Sequence, residues 1–247
     1  MDANDAGSQK SSVEEIRRRF DADVERFSNL ETGQTATLDA PLVLELIAQA
    51  SQAATPHATS LLDIGCGAGN YSLKLLEVLP LQHITLVDLS QPMLDRATQR
   101  LSSQTSASIN CHQADIRELP LAAESFDVVV AAAVLHHLRE EAEWRQVFAN
   151  IYQSLRPGGC FWISDLVQHS QPALQAMFWQ RYGEYLTHLG GTEYAAKVFA
   201  YVAKEDSPRP LLFQLDLLRS VGFQDLEILH KHGCFAAFGA VKSHRRL

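Results

Sequence analysis

The stretch LDIGCGAGN, Leu62 to Asn70, lies where a short apolar run gives way to a helical pattern, and its reading decides the fold. Gly65, Gly67 and Gly69 permit a tight turn and let a ligand come up against the backbone. The helix that follows presents unpaired N–H groups and its positive dipole end. The loop is therefore built to hold a negative group at a strand-to-helix junction. Its spacing departs from a dinucleotide fingerprint, because the third glycine comes two residues after the second and Asn70 stands where that fingerprint has Gly or Ala. A pyrophosphate ligand is disfavoured on that ground, and with it a nicotinamide-dependent oxidoreductase.

On either side of this loop, short apolar runs alternate with helical segments. SLLDIG (Ser60 to Gly65), HITLVDL (His83 to Leu89), SINCHQAD (Ser108 to Asp115), FDVVVAAA (Phe126 to Ala133) and GCFWISD (Gly159 to Asp165) read as strands. Continuous Val, Ile and Leu runs mark strands buried on both faces, and repeated β-α units imply a parallel sheet with right-handed crossovers. The fifth strand is followed by an insertion, Leu166 to Pro210, holding two helical patterns separated by Gly190 and Gly191. Leu174, Met177, Phe178, Tyr182, Tyr185, Leu186 and Leu189 form one stripe; Tyr194, Val198, Tyr201 and Val202 form the next. PRPLLFQLDLLRSVGF then reads as a helix closed by Gly222. The segments Leu226 to His230 and Phe235 to Val241, joined around Gly233, are too close to be anything but antiparallel.

The expected fold is thus α/β: a doubly wound, mainly parallel, seven-stranded sheet with an antiparallel last strand. Upstream, Ser12 with Glu15 makes a capping box for a helix carrying Val13, Ile16, Phe20, Val24 and Phe27, and a second helix is expected from Ala40 to Gln52. The expected organisation is a disordered start (1–11), a helical arm (12–55) and one large domain (56–247) with a helical lid at about 166–210.

Charge and composition limit what such a domain can be. Among 247 residues, 21 Lys and Arg against 29 Asp and Glu leave a net charge of −8, which repels a phosphate backbone and excludes a general nucleic-acid binder. The basic tail, Lys242, His244, Arg245 and Arg246, reads as a solvated end. Cys66, Cys111, Cys160 and Cys234 form no C-x-x-C pair, which fits a reducing, cytoplasmic setting. The start, MDANDAGSQKSS, lacks the basic and apolar regions of a secretory signal. The longest apolar run, Val128 to Leu135, falls far short of the ~20 residues of a membrane span.

Two further strand ends carry chemistry. Asp88 ends the second strand 23 residues beyond Gly65, where a carboxylate can accept both hydroxyls of a ribose. Asp115 ends the third, placed to accept from an adenine amino group between Ile116 and Met93. A lone strand-end Asp is commonly a helix cap or turn former. Three features on consecutive strand ends point instead to a ligand, since open α/β sheets bind ligands at those ends.

The order LDIGCGAGN, VDLS, AD, FDVVVAAAVLHHL and LRPGG resembles the class I S-adenosylmethionine-dependent methyltransferases, Rossmann-like proteins whose reversed last strand is similar to the closing hairpin here. The resemblance implies S-adenosyl-L-methionine as cofactor and S-adenosyl-L-homocysteine as product. It further implies that Asp63 with the loop of Gly65, Cys66, Gly67 and Gly69 holds the methionine moiety, Asp88 the ribose, and Asp115 with Ile116 the adenine; Leu89 and Met93 are further cofactor-binding candidates. Ala132, Leu135 and His136 would lie beside the sulfonium. The motif order says little about the acceptor.

Methyl transfer needs alignment more than a dedicated acid or base, although a histidine or carboxylate helps an oxygen or nitrogen acceptor. His136, His137 and Asp165 lie just past the fourth and fifth strands; His136 and Asp165 are the catalytic candidates, with a helix-capping role the alternative for His136. The Asn-Pro-Pro-Tyr loop of amide methyltransferases is replaced by AAAV. Trp179, Arg181, Tyr182 and Tyr185 are the candidate substrate-facing residues of the lid, the alternative being that its aromatics only pack it onto the sheet. Glu184 and His188 make too small a set for a metal, and none is expected.

The expected partner is a small-molecule acceptor, with no membrane and no general nucleic-acid binding, and the sequence leaves oligomeric state open. Two other readings remain. A carboxy-S-adenosylmethionine synthase-like tRNA-modification enzyme would have an arginine before the final helix, where residues 194–206 offer only Lys197 and Lys204. A non-catalytic cofactor-binding partner or sensor would keep the same glycine loop.

Overall fold

The computed structural model describes residues 10–29 and 34–244. Residues 1–9 of the expected disordered start (1–11), residues 30–33 of the loop before Ala40 and the tail residues Arg245 and Arg246 lie outside the described residues. Five parallel strands, β1 (Ser60–Ile64), β2 (His83–Asp88), β3 (Ser108–Gln113), β4 (Phe126–Ala132) and β5 (Leu155–Leu166), join β6 (Asp225–His232) and β7 (Phe235–Val241) in one sheet. The order is β3-β2-β1-β4-β5-β7-β6, with β7 antiparallel to both neighbours. The expected doubly wound sheet with its reversed last strand is therefore present. The order turns back between β1 and β4, so a crevice opens at their carboxyl ends.

The helices are α1 (Val13–Ala22), α2 (Val24–Ser28), α3 (Ala40–Ala54), α4 (Asn70–Leu76), α5 (Gln91–Ser102), α6 (Glu141–Ser154), α7 (Pro172–Glu205) and α8 (Leu211–Val221). On one face of the sheet, Trp144 and Phe148 of α6 pack with Phe161 and Phe223; on the other, Ile47, Leu75 and Leu94 pack against Leu61 and Ile84. Every residue of β1 is buried, as expected of a strand covered on both sides.

Four details differ from the sequence expectation. The one helix expected to carry Val13 through Phe27 is two, α1 and α2, broken at Asp23. β5 begins at Leu155 and not at Gly159, because Leu155 pairs with Phe126 across a register shift and Gly158, at φ 83°, turns the chain back into line. The two lid patterns form one element, α7, interrupted at Gly191, whose φ of 85° and ψ of 173° are open to glycine without strain. The apolar stripe of α7 is buried only at its centre: Tyr182 and Leu186 are covered, while Leu174, Met177 and Leu189 are exposed. Leu189 faces a large cavity, and Phe178 stacks on His169 with ring centroids 4.1 Å apart, so parts of the stripe outside its centre do not enter the core.

The amino-terminal arm is tied to the end of the lid. The capping box of Ser12 and Glu15 starts α1, and Ile16 is buried beneath it. Glu205, 1% exposed, accepts from Arg19 through both carboxylate oxygens, Nη2 to Oε2 at 2.6 Å, and from the Ser11 hydroxyl at 2.7 Å. Lys10 Nζ donates to the Ala203 and Asp206 carbonyls, at 2.7 and 2.5 Å. The arm thereby crosses the carboxyl ends of the strands as a strap.

Candidate functional site

The glycine loop is held open by its own backbone. Gly65, Gly67 and Gly69 have φ of 65°, 49° and 80°, and the amides of Gly65 and Cys66 both donate to the Val87 carbonyl at 2.8 and 3.1 Å, tying the loop to the end of β2. A Cβ on Gly65 would lie 2.6 Å from Val134, whereas one on Gly67 would meet nothing within 4 Å. Gly67 faces open space, and Gly69 backs onto Ala97 of α5. Asn70, the residue that departs from a dinucleotide loop, is buried. It accepts from Arg100 at 2.8 Å and donates to the Phe27 carbonyl at 3.0 Å, joining α4 to the arm.

Two carboxylates face this loop. Asp63, at the end of β1, accepts from the Ser72 hydroxyl at 2.6 Å and is otherwise enclosed; burial, with Asp88 adding to it, pushes its carboxyl up to about 7. Asp88 accepts from the amides of Gly67 (2.8 Å) and Ser90 (2.9 Å), and burial raises its pKa despite those donors. Cys66 is buried, and its thiol is pushed well above the ordinary value by burial and by the two aspartates, so it is an inert small residue.

The adjoining strand ends supply a second group. His136 sits on a 3-10 turn, Leu135–His137, after β4, and Asp165 near the end of β5. The His136 ring donates from Nδ1 to Asp165 Oδ1, while the His136 amide donates to Asp165 Oδ2 at 3.1 Å. On the other side of the ring, Nε2 lies 3.5 Å from Oδ1 of Asp206, the residue after α7. The Ser207 amide donates to the His136 carbonyl at 2.6 Å, locking the lid's end against the turn.

Burial works against a charged His136 ring, but Asp165 and Asp206 outweigh it and hold its pKa up to about 9. At neutral pH this arrangement presents an imidazolium and not a base. Burial raises Asp206 to about 6, and His137 is pushed well below its ordinary value by burial and by its charged neighbour.

One cavity of about 810 Å³ joins the two groups. Asp63, Gly65, Cys66, Gly67, Asp88, Leu89, Met93, Ala132, His136, Asp165 and Tyr182 all line it, as do Phe20 and Phe27 from the arm. Asp115 and Ile116 line an adjoining recess of about 60 Å³ with Asp88, Val134, Val13 and Ile16. Asp115 is engaged there by Arg117, Nε to Oδ1 at 2.9 Å and Nη2 to Oδ2 at 2.5 Å, which keeps it below the usual carboxylate range although burial pulls the other way.

The remaining sequence candidates lie outside both linings. Leu135 is in the core under α6, and Arg181 is exposed. Trp179 packs on Phe199, with ring centroids 5.3 Å apart, and Tyr185 donates to the Thr35 carbonyl at 2.6 Å. Asp206 and Arg19 escaped the sequence reading. Their one signal is the acidic pair Glu205–Asp206 at a helix carboxyl end, against the macrodipole, where a local rule is broken only for a tertiary reason.

A doubly wound sheet with a glycine loop after β1 and acidic groups at successive strand ends defines an α/β protein with a ligand crevice at the carboxyl ends of its strands. Residues 61–159 match the methyltransferase domain family. That match runs from β1 into β5, about two fifths of the chain. The chain is 34% identical over 117 residues to the arsenite methyltransferase of Halobacterium salinarum, covering 47% of this chain and 29% of that one. Over 193 residues it is 27% identical to the demethylmenaquinone methyltransferase of Listeria monocytogenes, covering 76% and 80% of the two. Thus the match spans less than a third of one relative and most of another.

In fold it is similar to the 1,6-didemethyltoxoflavin-N1-methyltransferase of Burkholderia thailandensis, solved with bound 1,6-didemethyltoxoflavin and S-adenosylhomocysteine. The TM-score is 0.63, with 18% identity, over 98% of this chain and 93% of that one. Among the described residues no helix is long and apolar enough to cross a membrane.

Proposed function

We propose that this protein transfers a methyl group from S-adenosyl-L-methionine to a small-molecule acceptor by in-line displacement. The observation that carries this reading is the single cavity of about 810 Å³, which runs from the glycine loop, Asp63 and Asp88 to the His136–Asp165–Asp206 cluster. That volume is near the top of the roughly 300–1,000 Å³ of small-molecule sites, enough for a nucleoside cofactor and a second small molecule.

The residues divide the work by charge. Asp63, a buried carboxylate lacking a cationic partner, suits the ammonium of the cofactor's methionine arm; Gly67 lets that arm lie on the backbone. Asp88 suits the ribose hydroxyls, and the recess at Asp115 and Ile116, next to the part of the cavity that Met93 lines, suits the adenine edge. The acceptor then enters at the His136 end, under Tyr182 and the lid. There the new bond to the methyl carbon forms as the carbon–sulfur bond breaks, its electron pair returns to sulfur, and the acceptor's proton leaves. The strap of α1 and α2 covers the cofactor side and excludes water, which strengthens every charge interaction inside. Relatives named for arsenite, demethylmenaquinone and a toxoflavin precursor support a small acceptor.

Calorimetry tests the cofactor half of this reading: S-adenosylhomocysteine is expected to bind and Asp88→Ala to weaken it, with negligible binding of NAD. Following S-adenosylhomocysteine release across acceptor panels tests the other half. Cofactor binding without release on any panel would favour a sensor, and a carboxylated cofactor carried through purification would favour the tRNA-modification alternative.

A further inference from the structure

His136, His137 and Asp206 converge on one point of the cavity wall. Oδ1 of Asp206 lies 3.5 Å from Nε2 of His136 and 3.6 Å from Nδ1 of His137, and the three ligand atoms lie within 4.8 Å of one another. These distances are too long for hydrogen bonds, and both His137 ring nitrogens and Asp206 Oδ1 are buried without a hydrogen-bond partner. Orphaned lone pairs in a closed site are costly, and their convergence calls for a shared cation. Ligand atoms about 2.0–2.1 Å from a tetrahedral ion stand about 3.4 Å apart, close to the separations observed.

We infer that His136 Nε2, His137 Nδ1 and Asp206 Oδ1 form a binding site for a divalent transition-metal ion of the zinc, cobalt and iron(II) class. Two imidazoles and one carboxylate favour these ions over magnesium or calcium. Asp165 completes the set as the outer carboxylate that receives the Nδ1 proton of His136 and so fixes which nitrogen faces the ion. Asp165 and Asp206 together balance a dication, and the proton on His136 Nε2 leaves to solvent when the ion enters. Three protein ligands leave a coordination position toward the cavity, the pattern of a catalytic site and not of a structural one. Under the methyl-transfer reading, on which this role alone rests, that position takes an oxygen donor of the acceptor and draws out its proton.

A second histidine cluster serves as the internal control. Asp39 accepts from His230 Nε2 at 2.8 Å and His232 Nδ1 at 2.7 Å on the sheet edge, so its donor atoms already satisfy one another. The test is titration of the full-length protein with Co2+, read by the visible absorption of the bound ion, and with Zn2+, read by thermal melting. Neither readout requires methyl transfer or cofactor, so a failure here stays separate from a failure to bind S-adenosylhomocysteine.

The expected result is visible Co2+ bands that are abolished in Asp206→Asn, weakened about 10–100-fold in affinity in Asp165→Asn, and unchanged in the double variant His230→Ala with His232→Ala. His137→Gln replaces Asp206→Asn if the latter fails to fold. Absence of bands and of a Zn2+ melting shift in the wild type overturns the proposal. So does binding that survives Asp206→Asn or His137→Gln, or that vanishes in the His230/His232 variant.

Discussion

Acidification through pH 7 is expected to weaken S-adenosylhomocysteine binding, because Asp63 must lose its proton to pair with the ligand's ammonium. Burial holds that carboxyl at about 7 against an ordinary 3.8. The difference corresponds to about 4 kcal/mol against ionisation in the ligand-free protein. For the folded protein alone, a raised carboxyl pKa contributes stability that is complete below about pH 4 and is lost as pH rises through about 7. The ligand's ammonium recovers part of that cost, so its stabilising effect is larger on the alkaline side.

Calorimetry between pH 5.5 and 8.5 reads this directly. The dissociation constant should be flat above pH 7.5 and rise about tenfold per pH unit below 7, roughly thirtyfold by pH 5.5. Asp63→Asn should bind weakly at pH 8 and remove most of the slope; any slope that persists belongs to Asp88, whose pKa burial also raises, or to Asp206, raised to about 6 in the same cavity. A wild-type profile that is flat across the range, or a slope undiminished in Asp63→Asn, refutes the assignment of Asp63 to the ammonium.

Further expectations concern the strap, the loop and the core. Arg19→Met strands the buried Glu205 carboxylate and should cost about 3 kcal/mol in urea unfolding, the low end for a broken buried pair because Arg19 is 31% exposed. Adding Glu205→Gln should restore most of that loss, and a single-variant effect below 1 kcal/mol would contradict the latch. Gly65→Ala, with φ of 65° and a Cβ 2.6 Å from Val134, should lose S-adenosylhomocysteine affinity at least tenfold, and Val134→Ala should partly rescue it. Gly67→Ala meets no protein neighbour and should cost the left-handed backbone penalty, about 1–2 kcal/mol in thermal stability, and also weaken S-adenosylhomocysteine binding, because its methyl group enters the cavity. Trp144→Ala removes a fully buried side chain and should cost about 3–5 kcal/mol, with cofactor affinity of the folded protein unchanged.

Elements written into neighbouring residues were legible in the sequence. The β-α alternation, the capping box at Ser12, the Gly222 stop of α8 and the closing hairpin all follow from periodicity or turn chemistry over a few residues. The early start of β5 was not legible, because LRPGG has no strand pattern and joins the sheet only through the partner that Phe126 offers. The exposure of Leu174, Met177 and Leu189 was likewise invisible, since a stripe states which side chains share a face and not whether anything covers it.

The sequence by itself determined the fold class of this protein, because the glycine loop, the strand-end aspartates and the alternation of strands and helices are encoded by local pattern in a fixed succession. The tertiary structure alone decided the electrostatics. Asp206 meets His136 and His137 because α7 bends at Gly191 and delivers its carboxyl end to the turn after β4, and Arg19 meets Glu205 because the arm crosses the same edge. The pKa of Asp63 and the charge on His136 depend on burial and on distances between residues far apart in the chain, and neither quantity has a period that a sequence can show.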